Sequence, residues 1–125
     1  MRSTIVPFAV LALKGYTPAD DVTMLDCEGI PHYKRVDGVW HGEHERAYIV
    51  PCRTDTMRRV LISLARGNGQ SHVLFVREDA SAVLHEIATD IDHEHGQWRE
   101  VPKVIALAAP CYTYDGITGA YYVAN

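Results

Sequence analysis

The run from Asp37 to Val76 restricts the fold more than any other part of the chain, because three element signals follow one another without a gap. Asp37-Gly38-Val39-Trp40-His41-Gly42-Glu43-His44-Glu45 carries two glycine-marked turns, and Ala47-Tyr48-Ile49-Val50 is an apolar strand segment ended by Pro51. Asp37-Gly38 predicts a hairpin joining His32–Val36 to Val39–His41, since both turn residues tolerate positive φ. Met57, Val60, Leu61, Leu64 and Ala65 then recur at helical spacing, with Arg58, Arg59, Ser63 and Arg66 off the stripe. Thr54 is a suitable N-cap, Asp55 and Arg66 complement the helix dipole, and Gly67 or Gly69 supplies a stop. These signals predict a main helix over about 55–66, turning directly into the strand His72-Val73-Leu74-Phe75-Val76.

Outside this run the signals are shorter. Ile5 to Leu13 reads as a strand with Pro7 at a sheet edge or bulge, Lys14 to Asp21 as a turn-rich loop, and Val22 to Asp26 as a short strand. Ser71–Arg77 and Ser81–Ala88 form a hairpin around Glu78-Asp79-Ala80, and Asp90 to Gly96 is a polar loop. Pro102 and Pro110 bracket a short second helix over about 103–109, and Tyr112–Tyr114 pairs with Ala120–Val123. The expectation is a single α+β domain over 1–125: an antiparallel sheet of hairpin-linked short strands, packed by the main helix and the short second one.

Bulk properties narrow the function classes. A net charge of −4 and a pI near 5.9 give no basic field for a phosphate backbone, so nucleic acid is not an expected partner. Cys27, Cys52 and Cys111 are odd in number and widely spaced, which reads as reduced thiols in a cytoplasmic protein. Met1-Arg2 with the apolar Ile5–Leu13 has the outline of a leader. Pro7 and the lack of a small-x-small cleavage site favour a strand instead, and the run is too short to span a bilayer.

Chemistry-bearing residues fall into three groups. His41, His44, His93 and His95 stand with carboxylates in two polar turns, a donor set suited to zinc, although the spacing is not diagnostic. Gly67-Asn68-Gly69-Gln70-Ser71 resembles a phosphate loop but comes after a helix, where the dipole is negative, so it reads as a helix stop. Glu45 and Gln70 each lie at the start of an apolar strand, and their side chains would converge if those strands were neighbours. The aromatics Trp40, Trp98, Tyr112, Tyr114, Tyr121 and Tyr122 occupy hairpin strands or turns, as interface anchors do, with Tyr112 and Tyr114 on one face and Trp40 expected to be partly buried.

No motif names a reaction. In character the chain is similar to the small acidic accessory proteins of bacteria and their phages, a likeness of style that assigns no site. The expectation is a non-enzymatic binding protein, with Trp40, Glu45, Gln70, Tyr112 and Tyr114 as binding residues. It would be a phage or mobile-element product that inhibits a host defence factor in the host cytoplasm through a protein–protein interface. The alternatives are a protein that sequesters a small molecule, as a homo-oligomer with a pocket between protomers, and a small metal-dependent enzyme using the His/Glu turns. No cofactor beyond a possible zinc and no membrane contact are expected.

Overall fold

The computed structural model describes residues 5–125, so Met1 and Arg2 of the leader-like stretch lie outside the described residues. In chain order the elements are β1 (Phe8–Ala12), α1 (Pro18–Cys27), β2 (Lys34–Trp40), β3 (Glu43–Pro51), α2 (Asp55–Gly67), β4 (His72–Val76), β5 (Ser81–Glu86), β6 (Ile91–Val101), α3 (Lys103–Ala108), β7 (Cys111–Asp115) and β8 (Ala120–Ala124). The strands close into an antiparallel barrel in the order β1-β3-β2-β7-β8-β6-β5-β4. Closure is made by β1, which pairs with β3 along one edge (Ala12 opposite Ala47) and with β4 along the other (Val10 opposite Leu74). A closed sheet leaves no unpaired edge to template aggregation.

The α+β expectation is therefore corrected. The sheet is not an open layer packed by a main helix; it is a barrel with helices laid on its outside. The Thr54 hydroxyl caps α2 by accepting from the Met57 N–H at 3.1 Å, and Leu61, Leu64 and Ala65 are its buried residues. With Leu25 of α1 they close over outward side chains of the wall, Leu11, Tyr48, Val50, Val73 and Phe75. This outer layer is the hydrophobic core.

Three local expectations fail for identifiable reasons. Asp37-Gly38 is not a turn: both sit inside β2, paired with Arg46 and Glu45 of β3. The turn falls at His41-Gly42, with φ of 47° and 86°, the positive pair that a two-residue hairpin loop demands. Val22–Asp26 is helical, because Thr17 and Asp20 form a capping box and Pro18 starts the first turn of α1. Asp90–Gly96 is not a loop. Its polar run from Ile91 onward belongs to β6, pairing with β5 from Glu86↔Ile91 to Val83↔Glu94.

Candidate functional site

Strand alternation gives the barrel a second face. Register places Val10 and Ala12 of β1 with Ala47 of β3, Leu74 of β4 and Leu84 of β5 on the inner side. At one end Val36, Val76, Ala82 and Asp115, each at most 2 % exposed, fill the interior. Elsewhere the interior stays open as a cavity of about 340 Å³ to which all eight strands contribute. That is within the range of small-molecule sites, roughly 300–1,000 Å³.

The cavity wall is partly aromatic. Trp98 stacks on Tyr122 with centroids 5.0 Å apart and an interplanar angle of 11°, while Trp40, the last residue of β2, lies 5.3 Å from the His72 ring. Lys14, Glu43, Glu45, Gln70, His72 and His95 give the lining its polar and charged groups, and Glu43 lies opposite Trp40 in the β2–β3 pairing. Burial pushes the Glu45 carboxyl above its ordinary value; the Lys14 ammonium pulls it back and Glu43 pushes it further up. Burial likewise lowers the His72 imidazole, opposed by Glu86, so its neutral form is favoured. The Gln70 side-chain nitrogen is buried with no hydrogen-bond partner among the described residues, an unsatisfied donor beside the cavity.

Behind Glu45, on the other face of β3, lies a buried polar lock. Asp21 of α1 is 0 % exposed and accepts from Arg46 Nε at 2.8 Å, Tyr48 Oη at 2.8 Å and the Gly15 N–H at 2.8 Å. Arg46 also donates to the Gly15 carbonyl. Burial alone would raise the Asp21 carboxyl, but these donors hold it below its ordinary value. Tyr48 is pushed up to about 12 by burial and by donating to Asp21. The lock ties β3 to the Lys14-Gly15 segment, whose Lys14 N–H donates to Asn68 Oδ1 at 3.0 Å just past α2.

The residues singled out from sequence divide cleanly. Trp40, Glu45 and Gln70 all border the cavity, and the β1–β4 closure is what brings the strands after Glu45 and Gln70 together, one strand apart. Tyr112 also borders it, but its ring lies 6.0 Å from that of Tyr121, which in turn packs 4.6 Å from Tyr114; Tyr114 does not line the cavity. His95 lines it, while His41, His44 and His93 do not. Among the described residues no three His, Cys, Asp or Glu side chains are grouped to hold a metal ion.

Trp98 and Tyr122 were read only as interface aromatics and His72 as a structural residue, whereas Lys14 and Glu43, which also line the cavity, were missed. Of these, Glu43 alone had a readable signal, its two-residue spacing from Glu45 on one strand, which puts both carboxylates on one face. No helix among the described residues is long and apolar enough to cross a membrane.

No curated protein matches the chain. A family match over residues 20–125 does exist, and it points to an enzyme. It overturns the expectation of a non-enzymatic inhibitor, with its viral and defence-evasion setting, and leaves the sequestering and metal-enzyme alternatives without support. That match, to the S-adenosylmethionine lyase family, runs from within α1 through β8 and takes in seven of the eight barrel strands, so the chain belongs to that family.

Proposed function

We propose that this protein binds S-adenosylmethionine in the barrel cavity and cleaves a carbon–sulfur bond of its sulfonium centre, without water or a redox partner as reactant. A sulfonium is a cation with no N–H to donate. It is recognised by aromatic faces and by carboxylates rather than by hydrogen-bond acceptors arranged around a proton. The observation that carries the reading is a half-buried carboxylate, Glu45, in a cavity walled by Trp40, Trp98 and Tyr122. As the C–S bond breaks, the ligand's own α-carboxylate oxygen bonds to the side-chain carbon that sulfur leaves, closing a lactone, while the C–S electron pair goes to sulfur and the positive centre becomes a neutral thioether. The aromatic part of the wall favours this loss of charge relative to water, because water stabilises the cation that is being consumed.

Glu45 binds and orients the sulfonium in this scheme. Burial raises its pKa, and a cation seated beside it acts in the opposite direction, favouring the ionised carboxylate. Gln70 offers its unpaired donor to an acceptor on the ligand. The leaving thioether is neutral and needs no further activation, so no cofactor is assigned. We place the protein in the cytoplasm, a reading supported by three cysteines that are all free. Incubation of the purified protein with S-adenosylmethionine, followed by chromatography and mass spectrometry, should reveal the adenosyl thioether product. Intact substrate after prolonged incubation with folded protein would refute the proposal.

A further inference from the structure

S-adenosylmethionine carries three charges: the sulfonium, the α-ammonium and the α-carboxylate. The fixed charges around the cavity mirror them, with Glu45 and Glu43 as anions and Lys14 as a cation. Glu45 is half-buried whereas Glu43 and Lys14 are exposed, so the set runs from the cavity wall outward to solvent. Lys14 is within ion-pair distance of no carboxylate among the described residues. Its backbone, by contrast, is fixed. The Lys14 N–H is held by Asn68, and the next residue, Gly15, is held through both its N–H and its carbonyl by Asp21 and Arg46. A Cβ at Gly15 would lie 2.5 Å from Asp21 Oδ1, so the lock accepts no larger residue there without moving. An anchored main chain presenting an unneutralised ammonium at a cavity mouth is an arrangement suited to a carboxylate.

We infer that Lys14 is the specificity residue for the amino-acid end of the ligand, a role that depends on the cavity being an S-adenosylmethionine site. It pairs with the α-carboxylate, Glu43 faces the α-ammonium, and Glu45 is left for the sulfonium. The Asp21–Arg46–Gly15 lock positions Lys14 without touching the ligand. The site therefore selects adenosyl sulfonium compounds with an intact α-amino acid over those lacking the carboxylate.

Calorimetric titration of wild type and Lys14→Met with S-adenosylmethionine, S-adenosylhomocysteine and decarboxylated S-adenosylmethionine tests this. Wild type should bind S-adenosylmethionine more tightly than the decarboxylated compound by about tenfold or more, the size of one charge-assisted contact. Lys14→Met should weaken both carboxylate-bearing ligands by the same factor and leave the decarboxylated one unchanged, erasing the preference. Lys14→Arg should keep most of it. Equal weakening of all three ligands in Lys14→Met, or an undiminished preference, would overturn the assignment while leaving the cavity reading intact. Failure of wild type to bind any of the three would overturn both. Because Lys14 is exposed, an unchanged melting temperature accompanies the expected result.

Discussion

Along β3, consecutive side chains enter two different environments. Outward, Arg46, Tyr48 and Val50 are closed under α1 and α2, with Tyr48 and Val50 each 1 % exposed and the one charge neutralised by a fully buried Asp21. Inward, Glu43 and Glu45 border an open cavity, and no hydrogen-bonding partner holds either carboxylate among the described residues. The two faces shift their carboxylates in opposite directions: Asp21 is held down by three donors, Glu45 is pushed up by burial. The outer face is satisfied and stabilises the fold. The inner face is left unsatisfied, and that is the condition for binding something else.

The comparison can be broken most forcefully at the lock. Asp21→Asn takes the charged acceptor away from Arg46, Tyr48 and the Gly15 N–H at a fully buried position and should cost about 3 kcal/mol or more of unfolding free energy, read by chemical denaturation. The sign comes from the lowered carboxyl. Its stabilisation is present above the ordinary value of 3.8 and is lost as pH falls through the depressed folded-state value. Wild type should therefore lose stability toward strong acid, and Asp21→Asn should lose less there.

Core packing separates the faces in the same way. Leu61→Ala, in the fully buried outer layer, should cost about 2–5 kcal/mol. Leu74→Ala, whose side chain borders a space already open, should cost only about 1 kcal/mol in the same denaturation experiment. Equal losses at the two positions would mean that the cavity is collapsed in solution.

At Glu45 the effect should fall on activity instead. Glu45→Gln should reduce kcat/KM for S-adenosylmethionine cleavage by about a hundredfold, mainly through a higher KM, as loss of a charge partner that binds and orients the cation does. The same variant should melt no lower than wild type at neutral pH. A raised folded-state value gives stability that is present at low pH and lost as pH rises through that value, so ionised Glu45 is a burden on the fold above it. Ligand affinity should run the other way, tightening as pH rises through the same titration and then levelling. A Glu45→Gln variant that is both fully active and less stable would remove the distinction between the faces. The smallest effect is expected for Trp40→Phe, which keeps an aromatic face: about threefold to tenfold weaker binding with an unchanged melting temperature.

Much of the secondary structure was legible because its causes are local. The stripe from Met57 to Ala65 and the Thr54 cap lie within a few turns of chain and specify α2 regardless of what packs on it. The capping box at Thr17 was equally local, yet it went unread and Val22–Asp26 was taken for a strand instead of part of α1. Asp37-Gly38 misled because a turn signal competes with strand pairing. Seven consecutive pairs between β2 and β3 outweigh the preference of two residues. Glu45 and Gln70 were recognised as a pair only on the condition that their strands came close, a condition no short-range pattern could decide.

What the sequence determined by itself was the set of hydrogen-bonded and apolar faces available, period-two strands and one strongly amphipathic helix, together with a net charge of −4. Tertiary structure alone decided closure. The pairing of Phe8–Val10 with Leu74–Val76 joins segments more than half the chain apart. Its free energy is repaid only when all eight strands are in place, because loop-closure entropy opposes each distant contact until the ring is complete. With closure the inner side chains of every strand face one another. Residues as distant as Lys14, Glu45 and Tyr122, each ordinary in its own neighbourhood, thereby become the wall of a single cavity.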